Sequence, residues 1–372
     1  FNIDKNIPTY LPFNLAFCQD SGLIIQEYNQ YVYDTLNNTY KKPDLLRILM
    51  DESDVAKNRG DEFVDVFTNI AGIENKNKKL LEIGCSSGYI LNKFNELGSV
   101  VRGCEPGHSA EKAKDRYGLE IDNCFFDKSL YNNKYDIIIN IAVLEHILDP
   151  LPFLKDINSI LTKGGHLFIG VPNSESQLKL GDLGMMLHEH WTYFTSNSLK
   201  NLFKEAGFVS VKTYVSINDV LFCWGRCEDR ESMTISNVEI AEDLQLAKNY
   251  KYKLEKSISC IKTWVENCKN EKRKIGLYGA STGAINLFSL FNWKDVEVEL
   301  FDSDPAKKGK YLPGCELKIR TPEEIIENKI DRILIIPLSF TKQIQHYLES
   351  ILKIPNSIKI DSLSNILLTN SV

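Results

Sequence analysis

The sequence predicts an α/β fold: two doubly wound, Rossmann-like domains joined by linker helices, with a small irregular N-terminal region. Three observations carry this. An apolar strand followed by small residues and a helix pattern occurs twice, at Leu80-Leu-Glu-Ile-Gly-Cys-Ser-Ser-Gly88 and at Lys274-Ile-Gly-Leu-Tyr-Gly-Ala-Ser-Thr-Gly283, about 195 residues apart. Strands and helices alternate after each opening, which implies parallel sheets with helices on both faces. The stretch between them is long, charged and apolar at helical spacing.

Residues 1–42 hold many aromatics and few clear periods, and form the irregular N-terminal segment. The first doubly wound domain is expected over 43–230. Asn75–Lys79 is a solvated link into its sheet. Tyr89–Leu97 follows the glycine loop as a helix, Ser99–Cys104 is a strand, Ala110–Tyr117 a helix and Tyr135–Ala142 a buried strand. Leu151–Leu161 is a helix that ends at Lys163-Gly-Gly165, and His166–Val171 is the next strand. Leu199–Ala206 is a helix stopped by Gly207. Residues 231–273 read as one or two amphipathic linker helices, with Ile240, Leu244, Ala247, Leu254, Ile258, Ile261 and Val265 on one side. The second doubly wound domain, 274–372, continues through Ala284–Phe291, Val296–Phe301, Glu323–Asn328, Arg332–Ile336 and Thr341–Leu352.

Composition narrows the function. A chain of 372 residues is long enough for two to three domains and a core without staples. A net charge of −6 argues against nucleic acid or an anionic membrane as partner. Nine cysteines with no CxxC pair point to a reducing cytoplasm. No apolar run reaches the ~18 residues of a membrane helix, and no secretory signal is expected. A monomer or a weak homo-oligomer acting on a small molecule is the expectation.

The first glycine loop carries the strongest chemical signal. Its small residues let a ligand approach the backbone, and the helix that follows offers unpaired N–H groups. The next strand ends on Glu105-Pro106, and a carboxylate there can accept both hydrogen bonds of a ribose diol. A dinucleotide loop would read G-x-G-x-x-G; here Glu82 to Gly88 reads E-x-G-x-x-x-G. That pattern resembles motif I of the class I S-adenosylmethionine (SAM) dependent methyltransferases. The likeness continues in Asp127, in Asn140-Ile-Ala-Val-Leu-Glu-His146 and in Leu161-Thr-Lys-Gly-Gly-His-Leu167. It implies that Glu82 belongs to the cofactor loop, that Gly84, Cys85, Ser86 and Gly88 line the methionine part of SAM, and that Glu105, followed by Pro106, holds the ribose. It further implies that Asp127 lies near the adenine amine and that Ala142 and His146 flank the methionyl end. An Asp after a strand is also often only a helix cap.

Met185-Met-Leu-His-Glu-His-Trp-Thr-Tyr-Phe194 is the most unusual stretch. Two histidines flanking a glutamate admit a metal site, for which no third and fourth ligand is evident, a structural pair, or general acid–base chemistry. With this segment, the chain resembles the sugar-nucleotide C-methyltransferases, which methylate a carbon of nucleotide-linked keto-deoxysugars. Further likeness lies in Phe17-Cys-Gln-Asp-Ser-Gly-Leu-Ile24, in Gly279-Ala-Ser-Thr, in Phe301-Asp-Ser-Asp-Pro-Ala-Lys-Lys-Gly-Lys-Tyr-Leu-Pro-Gly314 and in Ile319-Arg-Thr-Pro-Glu-Glu324. The resemblance implies SAM as cofactor, S-adenosylhomocysteine as product and a sugar nucleotide as substrate. It makes His190 the base, Glu189 its neighbour, and Tyr33 (or Tyr31) a tyrosine approaching the sugar, with Lys307, Lys308 or Lys310 near a diphosphate.

The chain departs from that family in places. Of its zinc cysteines only Cys18 is present, with Ser21 at the partner position, so no zinc and no other metal is expected. Leu187 stands where the family tends to have tyrosine, and Gly283 where it usually has lysine. The first loop reads Cys-Ser-Ser where the family often has Ser-Asn-Asp. Alternatives to carbon methylation are O- or N-methylation of a sugar, sugar phosphate or glycan precursor, a non-enzymatic scaffold, and a nicotinamide site at the second glycine loop with Asp302.

Overall fold

The computed structural model describes residues 11–40, 54–132, 134–228, 236–312, 317–363 and 365–366. The first part of the N-terminal segment, and Pro313 and Gly314 of the 301–314 motif, lie outside them.

The elements run in the expected alternation. Strands β1 (Leu15–Phe17) and β2 (Ile24–Gln26) precede helices α1 (Gln30–Tyr40) and α2 (Asp54–Asp65). Then come β3 (Lys79–Ile83), α3 (Tyr89–Glu96), β4 (Val100–Cys104), α4 (His108–Tyr117), β5 (Ile121–Asp122), β6 (Tyr135–Ile141), α5 (Pro150–Ile160) and β7 (Leu161–Pro172). After α6 (Ser174–Leu180) follow β8 (Thr192–Tyr193), α7 (Ser196–Glu205), β9 (Phe208–Val215) and β10 (Val220–Cys227). The stretch read as one or two linker helices is one helix, α8 (Asn237–Asn270).

The large sheet has the order β5-β4-β3-β6-β7-β10-β9. Its first five strands are parallel, and β10 runs antiparallel to both β7 and β9. The all-parallel expectation is corrected at this edge. Phe208–Val215 and Val220–Cys227 are separated by a short turn, so they form a hairpin and not a crossover. Period-two alternation feeds two cores. Leu81, Ile83, Ile138, Leu167 and Ile169 fill one face, and Leu80, Ile137, Ile139, Phe168 and Phe222 the other. The order reverses beside β3, because β4 lies on one side and β6 on the other. A crevice at such a switch point, at the carboxyl ends of the strands, is where open α/β sheets bind ligands.

The second sheet, β13-β12-β11-β14-β15, is fully parallel. It comprises β11 (Ile275–Tyr278), β12 (Val298–Phe301), β13 (Ile319–Arg320), β14 (Arg332–Ile335) and β15 (Lys359–Ser362), with α9 (Thr282–Leu290) after β11 and α10 (Thr341–His346) after β14. The expected helix at Glu323–Asn328 is a single 3₁₀ turn, Pro322–Ile325, capped by Thr321 and Glu324.

By packing, the chain forms two units. One holds Pro12–Glu175 and His188–Leu244; the other holds Ser176–Leu187 and Gln245 onward. The segment 176–187 thus leaves the first unit and returns to it just before His188.

Candidate active site

The first glycine loop is shaped by what stands against it. Gly84 has φ +76°, and a Cβ there would lie 2.4 Å from Cγ2 of Val143. Only glycine permits this approach of the loop to the turn after β6. The N–H groups of Gly84 and Cys85 donate to the Cys104 carbonyl at 2.8 and 3.2 Å. Ser86, at φ +47°, donates its N–H to Oε2 of Glu105 at 3.1 Å. Gly88, at φ +77°, starts α3, and its missing Cβ makes room for Ala113.

Two carboxyls meet at this point. Glu82 is 2% exposed, and its Oε2 has no hydrogen-bond partner among the described residues. Burial, and secondarily the charge of Glu105, pushes its pKa up to about 8. Glu105 directly follows β4, beside the half-buried Pro106. A buried polar oxygen, a glycine cradle and a strand-end carboxylate fit a ligand with an ammonium or hydroxyl donors and a ribose diol.

Other expected cofactor residues have local roles as well. The Cys85 side chain enters the core, where its sulfur would touch a Cβ on Gly103 at 2.7 Å. Its contribution to the loop is therefore its backbone, and burial holds the thiol protonated. Asp127 is exposed and caps the turn Lys128–Leu130, accepting from Ser129 N at 2.9 Å. The Ser129 bond lowers its pKa. Ala142, at φ +53°, is a strained non-glycine residue at the end of β6.

His146 and His190 come together from distant parts of the sequence. His146 ends a 3₁₀ turn, Leu144–His146. Its ring stands edge-on to that of His190, with centroids 4.9 Å apart. Nδ1 of His146 lies 2.9 Å from the Glu189 carbonyl, and Trp191 N donates to the Glu145 carbonyl at 2.7 Å. Burial, and then His146, pushes the His190 pKa down to about 3, so the ring is neutral near pH 7. Glu145 is 1% exposed, and burial pushes its pKa up to about 8. Glu189 is exposed, and its visible role is made through its main chain.

The N-terminal segment braces this loop. β1 and β2 form an antiparallel hairpin, and β2 pairs with β8 through Ile24–Tyr193 and Ile25–Thr192. Gln26 is buried; its N–H donates to the Trp191 carbonyl at 2.9 Å and its Nε2 to the His188 carbonyl at 3.3 Å. Phe13 packs edge-on against His188. The Tyr33 ring lies 6.1 Å from Trp191, next to His190 in sequence, whereas Tyr31 is exposed. The turn at Cys18 is closed by main-chain bonds, Gly22 N to Cys18 O and Cys18 N to Leu23 O. Gln26 and Glu145 are the residues that sequence reading did not single out. Gln26 gave no local signal, and Glu145 lay inside the motif already noted.

The second glycine loop holds its acid internally. Asp302 Oδ2 accepts from Ala280 N at 2.8 Å and from Lys307 Nζ at 2.9 Å. Lys307, a candidate for a diphosphate, is thus paired, and Asp302 is engaged where a ribose would need it. Gly283 faces Gly184, whose Cα would lie 3.6 Å from an added Cβ, and Asn286 Nδ2 donates to the carbonyls of Leu183 and Met186.

Comparison with known proteins gives the class of the chain. Residues 55–213 match the family described as "Methyltransferase domain", and 233–356 the family described as "C-methyltransferase C-terminal domain". C-methyltransferase NovU of Streptomyces niveus is 23% identical over 71% of this chain and 67% of its own. A ubiquinone biosynthesis O-methyltransferase of Parvibaculum lavamentivorans is 28% identical over 44% of this chain and 72% of its own. Among solved structures, N-methyltransferase NodS of Bradyrhizobium japonicum covers 53% of this chain and 98% of its own, at 17% identity and a TM-score of 0.38. The chain is a SAM-dependent methyltransferase. Its two domain matches and the relative NovU together support membership of the SAM-dependent C-methyltransferases. Among the described residues no helix is long and apolar enough to cross a membrane.

Proposed function

We propose that the chain methylates a carbon of a nucleotide-linked keto-deoxysugar, with His190 as general base. The observation that supports this best is the meeting of His190 with His146, in a segment tied to the turn after β6 by the His146 ring on the Glu189 carbonyl and by Trp191 N on the Glu145 carbonyl. A ketone acidifies the adjacent C–H. His190 takes that proton, and the resulting enolate carbon is the nucleophile. Bound SAM supplies an electrophilic methyl on a sulfonium and leaves as S-adenosylhomocysteine. Glu105 and the Gly84–Gly88 loop, whose glycines let a ligand come close to the backbone, orient it, and Glu82 offers a buried acceptor. Tyr33 stiffens the base segment through Trp191. We read the protein as acting in the cytoplasm.

The acceptor class rests on the resemblance of nearly the whole chain to sugar-nucleotide enzymes. A second reading, O- or N-methylation, is favoured by the O-methyltransferase relative matched over 44% of this chain. One experiment separates them. The protein is incubated with SAM and a panel of dTDP-, GDP- and CDP-linked 4-keto-6-deoxysugars, and the product is examined by mass and NMR. A methyl on carbon, with loss of the exchangeable hydrogen, supports the first reading. SAM binding without any C-methylated keto sugar moves the assignment to the second.

A further inference from the structure

The sequence offered His188 and His190 but no further ligands for a metal. The fold supplies others. Glu145, His146 and His190 each bring one donor atom, and these atoms all lie within 4.8 Å of one another. Nearly the whole of Glu145 is buried, and its Oε2 has no hydrogen-bond partner among the described residues. An unpartnered buried carboxylate oxygen is costly, and a cation is one of the few partners that would satisfy it. His146 is oriented as metal-ligating histidines are: one ring nitrogen donates to a main-chain carbonyl, here that of Glu189, which leaves the lone pair on the other nitrogen. The same bond, with Trp191 N to Glu145 O, ties the residues on either side of His190 to the turn that carries Glu145 and His146.

We propose that Glu145, His146 and His190 form a site for a divalent transition-metal ion of the zinc class. Two imidazoles and one carboxylate are a ligand set this class accepts, with a position open to water or substrate. Donors around a tetrahedral ion with ~2.0–2.1 Å bonds lie about 3.4 Å apart. The cluster must therefore close by little more than 1 Å at most, which side-chain rotation supplies. The consequence rests on the reading of His190 as base. An ion that takes the His190 lone pair leaves none for a proton, so the filled site is a brake on the reaction.

Co²⁺ is the probe. The metal-stripped full chain is titrated with Co²⁺, followed by visible absorption and by equilibrium dialysis with elemental analysis. One Co²⁺ per chain, displaced by Zn²⁺, is expected. Glu145→Gln and His146→Asn should each weaken it by more than the roughly 10–100-fold that loss of an outer partner costs, with a wild-type circular dichroism spectrum as the check on folding. No uptake by the wild type, or wild-type affinity in Glu145→Gln, overturns the site. Hydrogen exchange of the keto sugar in D₂O is then run with the site filled. Exchange that stops upholds both readings. Exchange that continues unchanged with the ion bound upholds the site and overturns His190 as base.

Discussion

The carbonyl oxygen of Glu189 lies 2.9 Å from Nδ1 of His146. This contact joins a turn at the end of β6 to the segment that carries His190, 44 residues further along the chain. It sets the tautomer of His146 and brings its ring edge-on to His190. The base segment is thus held from two sides, by the β6 turn and by the N-terminal hairpin.

The hairpin side gives the first prediction. In Gln26→Ala the bond to the His188 carbonyl is lost while the main-chain pairing stays. A net hydrogen bond is worth about 1 kcal/mol, or about fivefold in rate. We expect kcat to fall by about that factor with SAM affinity unchanged, measured by steady-state kinetics and calorimetry. A matching fall in SAM affinity would mean that Gln26 supports the cofactor loop instead.

Gly84 gives the second. Gly84→Ala forces a methyl to 2.4 Å from Val143 and an alanine to φ +76°. A residue held in that region costs of order 1–3 kcal/mol. A lower melting temperature and loss of SAM binding are expected. Adding Val143→Ala relieves the clash but not the backbone strain, so stability should return only in part.

Much of this was legible in the sequence, for local reasons. The glycine loop, Glu105 and the strand Tyr135–Ile141 are written in contiguous residues and in the alternation of apolar side chains. Asp127 looked the same whether it met a ligand or capped a turn, and it caps a turn. The hairpin β9–β10 and the pairing of β2 with β8 are long-range or turn-dependent, and periodicity does not encode them. The approach of Glu145 and His146 to His190 is likewise long-range, made by contacts between loops more than forty residues apart in the chain. Cys85 was read as a loop residue because its neighbours are small, yet glycine at 103 opens a core slot for its sulfur.

Asp243 gives a pH prediction. It is buried and accepts from Thr195 Oγ1 at 2.8 Å. Burial raises its pKa to about 6, opposed by the Thr195 bond and aided by Glu175, Glu242 and Glu239. The unfolded value is about 3.9. The folded state therefore binds this proton more tightly, and stability from this group falls as pH rises from about 4 to 6 and stays low above. Asp243→Asn keeps an acceptor for Thr195 and removes the charge. Its melting temperature should exceed the wild type's at pH 7.5, and the gap should close by pH 4.5. An equal gap at both pH values would contradict the assignment.

Gly283 gives a fourth. An added Cβ would lie 3.0 Å from Ile336 Cγ2 and 3.6 Å from Gly184 Cα. Restoring the lysine of the resembling family, Gly283→Lys, should lower stability and bring no gain in substrate affinity, read by thermal denaturation and by KM. A stable variant with lower KM would show that the lost lysine was a substrate contact this packing can still accommodate.

The most direct test of the central claim is hydrogen exchange by His190→Gln in D₂O, with the keto-sugar substrate and without SAM. The account predicts that the variant binds SAM as the wild type does, while exchange at the carbon beside the ketone falls by at least ~100-fold, the lower end of what a general base contributes. Exchange at the wild-type rate in a variant that binds SAM would contradict it, and the base would have to be sought elsewhere.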